Sequence, residues 1–165
     1  MTAVETLVDG RLFQIAFVVR DLDAALERYT RILGGAPWRI FTFSAAIHRR
    51  AEYRGGATDF SVRLALNGSS PQYELIEPQL GSGIHADWLD ERGDGFHHVG
   101  VIVASLETAV DRMSAAGYEA IQTGAGFGAA GDGAYAYFDT VADLGCFVEA
   151  VEPPAGMPEP DSVWP

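Results

Sequence analysis

The 165-residue chain has a single cysteine, Cys146, few basic residues and no long apolar run. One cysteine cannot form a disulfide within the chain, which fits a reducing compartment. With 11 basic residues against 23 acidic ones, the formal charge is −12, and such a surface repels a phosphate backbone. The N-terminus lacks the basic-then-apolar pattern of a secretory signal, and no segment has membrane-spanning length. We therefore expect a cytoplasmic protein that binds neither nucleic acid nor membranes.

What the sequence does contain is an internal repeat. Residues 96–103 show the same succession of residue types as residues 12–19, at an offset of 84 residues. A second similarity ends each half, where Glu-Leu-Ile-Glu-Pro at 74–78 corresponds to Glu-Ala-Val-Glu-Pro at 149–153. Self-similarity of this kind indicates a duplicated structural unit.

Hydrophobic periodicity predicts the same order of elements in both halves. A strand over 13–19 is followed by a helix that Asp21 caps and Gly34-Gly35 ends. In the second half, a strand over 97–103 is followed by a helix that Ser105 caps and Gly117 ends. The remaining strands are predicted at 38–43, 60–66, 73–77, 118–122, 135–139 and 146–152. Each half is therefore β-α-β-β-β.

These elements divide the chain into five segments. We predict a leader (1–11), a first module (12–78), a connector with a short helix over 84–91 (79–95), a second module (96–153) and a loosely ordered proline-rich tail (154–165). Residues 126–131 match the pattern G-x-G-x-x-G, but a strand rather than a helix follows them. This excludes a dinucleotide site and favours a flexible loop that could cover a site.

Polar residues interrupt the apolar strands at equivalent positions of the two halves: Gln14, Glu74, His98 and Glu149. A carboxylate facing a core is costly unless it is paired or bound to a cation. If the modules pack about a pseudo-twofold axis, the four side chains converge. One nitrogen and three oxygen donors favour a divalent Zn, Ni, Co, Mn or Fe ion. Glu77 is the alternative to Glu74, because an error in strand facing exchanges them.

The other histidines and a basic segment also need an interpretation. His97 should face away from His98 and be structural, since alternate residues of a strand share a face, and His85 should lie on the surface of the connector helix. The basic segment containing His48, Arg49, Arg50 and Arg54 is either a solvated loop or a clamp for an anionic substrate, such as a carboxylate or a CoA phosphate.

The repeat, the His-His-Val-Gly strand at 97–100 and the Glu-Leu-Ile-Glu-Pro segment at 74–78 resemble the vicinal oxygen chelate superfamily. That superfamily includes glyoxalase I, methylmalonyl-CoA epimerase, extradiol dioxygenases and bleomycin-resistance proteins. The resemblance implies an α+β fold of two βαβββ modules forming an open, cup-shaped mixed sheet, and a homodimer. It also places the metal ligands at Gln14, Glu74, His98 and Glu149. This set resembles one glyoxalase I branch, whereas the connector is more similar to methylmalonyl-CoA epimerases, which usually have histidine in place of Gln14.

The expected function is a metal-dependent isomerase, epimerase or lyase that moves a proton next to the carbonyl of a small molecule. Glu149 is the expected base and Glu74 its partner on the opposite face. Two alternatives stay open. A non-catalytic protein that binds a small aromatic or drug molecule predicts an aromatic-lined cavity and no metal. An extradiol-type dioxygenase predicts iron and a second histidine within coordinating distance.

Overall fold

The computed structural model describes residues 6–35 and 37–165, so residues 1–5 of the predicted leader lie outside the described residues. The strands are β1 (Gly10–Val18), β2 (Trp38–Ser44), β3 (Arg50–Tyr53), β4 (Gly56–Ala57), β5 (Phe60–Gly68), β6 (Gln72–Gly81), β7 (Gly95–Val103), β8 (Ala120–Phe127), β9 (Gly133–Phe138), β10 (Phe147–Glu152) and β11 (Ser162–Trp164). The helices are α1 (Leu22–Leu33), α2 (Ile84–Arg92), α3 (Leu106–Ala115) and α4 (Val141–Leu144). Within these described ranges, no helix is long and apolar enough to cross a membrane.

All described strands form one mixed sheet, in the order β11-β2-β5-β6-β1-β7-β10-β9-β8-β3-β4. The first and last strands of each module pair in parallel, β1 with β6 and β7 with β10. The two modules join at the middle of the sheet, where β1 pairs with β7 antiparallel. The predicted α+β fold of two repeated βαβββ modules is confirmed.

The predicted signals begin and end the two crossover helices. The Asp21 carboxylate accepts a hydrogen bond from the Ala24 N–H at 2.9 Å, and the Ser105 hydroxyl accepts one from the Thr108 N–H at 3.2 Å. Gly34 ends α1 with φ 73°, a conformation that glycine adopts without strain. The buried stripe of α1 packs against the outer face of the sheet at Trp38, Ile40, Ala65 and Leu75. The inner face is thereby left free for a cavity.

The predicted basic loop contains the short strands β3 and β4. After β2 and a 3-10 turn over Ala45–Ile47, the chain leaves the first module, and β3 pairs antiparallel with β8 of the second module. The sheet must therefore curl, because its two distant regions are linked by a few residues. Local periodicity does not indicate this pairing, since β3 is short and its partner is about 70 residues away in the sequence.

The proline-rich tail is ordered, and the prediction of a loose segment is wrong. β11 pairs antiparallel with β2, with Trp164 opposite Trp38. Earlier in the tail, the Ala155 N–H donates to the Asp132 carboxylate at 3.1 Å, and the Gly156 carbonyl accepts from the Ala129 N–H at 3.0 Å. The tail thus holds the glycine-rich loop as well as the edge of the sheet.

Candidate metal centre and cavity

The four central strands bring acidic and imidazole side chains together on the inner face of the sheet. Glu74 on β6 and Glu149 on β10 lie on either side of His98 on β7. The His98 Nε2 atom is 3.4 Å from Glu74 Oε2 and 3.3 Å from Glu149 Oε2. All three side chains are buried. Glu77, the alternative to Glu74, lies 3.7 Å from Arg63 outside this cluster.

Gln14 on β1 lines the same cavity as the two acids. Its amide N–H donates to Gln72 Oε1 at 2.9 Å, so its own carbonyl oxygen is available to a ligand. The opposite residue of β7 is Gly100. A Cβ atom at Gly100 would lie 2.9 Å from Gln14 Cβ and 3.0 Å from Gln14 Oε1. Glycine is therefore needed here for the backbone to approach the Gln14 side chain.

Burial and charge act against each other in this cluster. Burial raises the pKa of the Glu74 carboxyl above its usual range. Burial alone would lower the pKa of His98, but the carboxylates of Glu149 and Glu74 outweigh it and raise that pKa to about 9. Without a cation, His98 is therefore a buried imidazolium between two acids. Its Nε2 lies close to both carboxylates but forms no well-aligned hydrogen bond with them.

His97 does not face away from His98 as predicted. Between the pairs Ala16–His98 and Phe17–Phe96, β7 has one more residue than β1. This β-bulge breaks the two-residue period on which the prediction depends. His97 is completely buried, and its Nδ1 lies 2.9 Å from the Nδ1 of His98.

His85 was predicted on the surface of the connector helix and is instead buried, where it lines the cavity. The helix buries Ile84, Trp88 and Leu89, and His85 lies on that side. This i, i+3, i+4 relation to Trp88 and Leu89 was the available sequence signal. Burial and the nearby His98 lower the pKa of His85 to about 3, so the ring is neutral. Ring nitrogens of His85, His97 and His98 lie within 4.8 Å of one another, and the three residues could hold a metal ion.

The cavity above this polar floor has a volume of about 260 Å³ and is mainly apolar, with both aromatic and aliphatic side chains in its lining. Both modules contribute to its walls, and Tyr135 and Tyr137 of the second module connect the walls to the floor, with ring centroids 5.6 Å apart. Tyr137 also lies 5.0 Å from the His98 ring. The aromatic lining residues are Phe13, Phe41, Phe43, Phe60, Phe127, Tyr135 and Tyr137.

The sequence profile of the glyoxalase/bleomycin resistance protein/dioxygenase superfamily matches residues 13–138. The chain belongs to this superfamily. The match extends over most of both modules, so it covers Gln14, Glu74 and His98 but ends before Glu149.

Solved structures of the same fold include methylmalonyl-CoA epimerases. The Mycobacterium tuberculosis epimerase is 24% identical, with 93% of each chain covered and a TM-score of 0.58. A methylmalonyl-CoA epimerase in complex with methylmalonyl-CoA and NH4+ is 19% identical, with 90% of this chain and 99% of that chain covered and a TM-score of 0.60. A hypothetical protein from Bacillus halodurans is also 19% identical, with 92% and 99% covered and a TM-score of 0.64. No curated protein matches the sequence.

His48 forms part of the cavity wall where the two modules of this superfamily fold meet. Its ring centroid lies 5.7 Å from that of Phe60 on β5 and 5.6 Å from that of Tyr135 on β9. Its Nδ1–H donates to the Ser44 carbonyl at 2.8 Å, which leaves Nε2 as an acceptor. Burial lowers the pKa of His48, although the hydrogen bond to Ser44 acts in the opposite direction. From the sequence, His48 was predicted in either a solvated loop or an anion clamp. Its place in the cavity wall was missed, because the neighbouring strand β3 pairs with a distant partner.

The three arginines of the predicted anion clamp do not line the cavity. Arg50 pairs with Glu52 at 2.7 Å, and Arg54 pairs with Asp87 at 3.1 Å. The backbone N–H of Arg49 donates to the Ala125 carbonyl at 2.8 Å, and its side chain lies against the glycine-rich loop. Of the described residues that line the cavity, the one arginine is Arg39, which is exposed.

Proposed function

We propose that this protein is a divalent-metal-dependent isomerase, epimerase or lyase that moves a proton on the carbon next to a carbonyl. The observation that carries the proposal is the meeting of Glu74, His98 and Glu149 at the floor of a mainly apolar cavity, with carboxylate oxygens 3.4 and 3.3 Å from one imidazole nitrogen. Membership of the superfamily and the fold shared with methylmalonyl-CoA epimerases support it.

The proposed metal ligands are Gln14, Glu74, His98 and Glu149. Their donor set, one imidazole nitrogen and three oxygens, suits a Zn, Ni, Co, Mn or Fe ion. A buried His98 Nε2 without a well-aligned hydrogen bond fits the same assignment. When bound, the ion would act as a Lewis acid toward the substrate carbonyl and the negative charge that develops on its oxygen.

The protein's own carboxylates move the proton. Glu149 is the proposed base, since it lines the cavity and lies next to Gly100, where no side chain separates it from a substrate. Tyr137 lies opposite Glu149 in the pairing of β9 with β10, and the pKa of Tyr137 is well above its usual value, mainly because the ring is buried. Tyr137 therefore remains a neutral phenol beside the proposed base. Glu74 lines the cavity on the other side of His98 and is the proposed partner on the opposite face.

Proton exchange in D2O tests this proposal. Protein purified without chelator is analysed for metal and then loaded with Zn, Ni, Co, Mn or Fe(II). Loss of the NMR signal of the proton next to the carbonyl is followed with methylmalonyl-CoA and with neutral α-hydroxyketones. Glu149→Gln should slow exchange by about 100-fold or more while the protein stays folded.

Glu77→Gln is the matched control, because this carboxylate lies near Arg63 rather than in the cavity. It should exchange protons at the wild-type rate. Exchange that survives Glu149→Gln, or no exchange with any metal and substrate of the panel, would refute the proposed activity.

The aromatic cavity also favours a second candidate, a non-catalytic protein that sequesters a small molecule. Such a protein would bind its ligand equally well with and without metal, and it would exchange no protons. His85 favours a third candidate, an extradiol-type dioxygenase. Such an enzyme requires a second histidine ligand, and His85 is a second buried imidazole at the site. That activity would depend on Fe(II) and consume oxygen, which an oxygen electrode measures.

We also propose that the protein is a cytoplasmic homodimer. The proposal is supported by the family resemblance and by the low cysteine content. Light scattering coupled to size-exclusion chromatography distinguishes a dimer from the 17.7 kDa monomer.

A further inference from the structure

We propose that the substrate is a small molecule with an uncharged aromatic body that carries its reacting oxygens at one end. The assignment of the reacting end rests on the proposed function, whereas the assignment of the body rests on the rest of the cavity. The two parts can therefore be tested separately.

Aromatic rings of both modules line the body of the cavity, together with aliphatic side chains. Phe41 and Phe43 on β2 are stacked, with centroids 5.9 Å apart and planes at 19°. Tyr135 and Tyr137 on β9 meet edge to face, at 5.6 Å and 71°. Phe60 and Phe127 complete the enclosure beside His48. Such walls offer both faces and edges of rings, the two surfaces against which another aromatic ring packs best.

Polar groups are concentrated at one end of this space. Gln14, Gln72, Glu74 and Glu149 all lie on the central strands β1, β6 and β10. The other polar lining groups are the two tyrosine hydroxyls, the His85 ring, the exposed Arg39 and His48. His48 contributes a single acceptor, because its Nδ1–H already binds the Ser44 carbonyl. A molecule that fits this pattern has its oxygens at one end and a ring in the apolar space.

The body of the ligand should carry no charge. Burial of an ion without a partner is strongly unfavourable, and Arg39 is the one guanidinium in the described lining, at an exposed position. Arg50 and Arg54 are already paired with carboxylates outside the cavity. The cavity volume of 260 Å³ is also below the range of about 300 to 1,000 Å³ that is usual for ligand pockets.

Two neutral ketols measure the contribution of the ring. Phenacyl alcohol (2-hydroxy-1-phenylethanone) and hydroxyacetone share the same pair of adjacent oxygens and the same CH2 group. They differ only in the substituent on the carbonyl carbon, which is phenyl in the first and methyl in the second. By calorimetry on metal-free protein, phenacyl alcohol should bind at least about tenfold more tightly. Phenacyl alcohol with a carboxylate at the 4-position of the ring should lose at least about tenfold of that affinity.

Substitutions inside and outside the cavity show where the ring binds. Val62→Phe fills the space between the rings, and Phe43→Leu removes one wall with less change of volume. Either variant should weaken binding of phenacyl alcohol by at least about fivefold and leave hydroxyacetone unchanged. Val163→Phe is the control, because Val163 lies on β11 outside the cavity and is exposed. Circular dichroism verifies that each variant is folded. If one of the two cavity variants does not fold, the other still tests the proposal.

Equal affinities for the two ketols, or preference for the carboxylated ring, would overturn the proposed substrate class. The proposed function has a separate readout, the loss of the CH2 signal from metal-loaded protein in D2O. Selective binding of phenacyl alcohol without exchange would refute the activity and retain the aromatic ligand. If hydroxyacetone exchanges its CH2 protons as fast as phenacyl alcohol and the two ketols bind equally tightly, the activity is retained and the aromatic body of the substrate is refuted.

Discussion

The Nδ1 atoms of His97 and His98 lie 2.9 Å apart, within hydrogen-bond distance, in a completely buried environment. One of the two nitrogens must donate and the other accept. Burial lowers the pKa of His97 well below its usual value, whereas that of His98 is raised to about 9. His98 is therefore the donor, and its Nε2 faces Glu74 and Glu149. His97 thereby fixes the orientation of the proposed metal ligand.

Replacement of His97 should reveal this positioning role through metal affinity. His97→Leu removes the acceptor and should lower Zn affinity by about 10- to 100-fold. His97→Asn keeps an acceptor oxygen near the same place and should retain most of the affinity. Competition with a chromophoric chelator measures Zn binding, and the visible spectrum of the Co-loaded protein reports the ligand geometry. Equal Zn affinity and equal spectra in wild type and His97→Leu would exclude the role.

Metal binding should depend on pH in a defined direction. In metal-free protein the pKa of His98 is about 9, so the imidazole is protonated at neutral pH and must lose that proton before Nε2 can bind a metal. Zn affinity should therefore rise as pH increases from 6.5 toward 9, with release of roughly one proton per site. A weakly buffered titration with a pH indicator counts these protons. His98→Ala should lose both the pH dependence and most of the affinity; an affinity that is constant over this range would contradict the assignment.

The four proposed ligands could be predicted from the sequence because they occupy equivalent positions of a duplicated unit. Strand alternation places Gln14 beside Ala16 on the inner face, and the same reasoning applies to His98 and Gly100. It failed at His97, where a bulge adds one residue to β7. His85 was also missed, since the short α2 carries charged residues beside its buried ones. These misplaced side chains depend on contacts between distant segments, which local periodicity does not report.

The pairing of β3 with β8 was likewise beyond local prediction. It brings His48 against Phe127 and Tyr135, residues almost 80 and 90 positions later in the sequence. This long-range pairing forms the part of the cavity wall around His48. The eight longer strands were predictable from hydrophobic periodicity, whereas β3, β4, β11 and the closure of the sheet around a ligand space were not.

Removal of the Trp164 side chain should destabilise the fold. Trp164 on β11 lies opposite Trp38 and packs, partly buried, against the cluster between the sheet and α1. Trp164→Ala should lower the free energy of unfolding by about 1–3 kcal/mol, less than for a fully buried tryptophan. The adjacent Val163 is 54% exposed, so Val163→Ala should cost less than about 0.5 kcal/mol. Urea unfolding followed by circular dichroism measures both; equal stabilities would show that the tail does not support the sheet.

Gly100 provides a test of whether Gln14 belongs to the metal site. A Cβ atom at residue 100 would lie 2.9 Å from both Gln14 Cβ and Phe13 Cε1, closer than such atoms approach in folded proteins. Gly100→Ala should therefore displace Gln14, lower stability by about 1–3 kcal/mol and weaken Zn binding. Gly95 begins the same strand, and a Cβ atom there would meet no other atom within 4 Å. Gly95→Ala should leave both properties unchanged, which separates the effect on Gln14 from a general effect on β7. If Gly100→Ala lowers stability but retains full Zn affinity, Gln14 is a neighbour of the metal site and not one of its ligands.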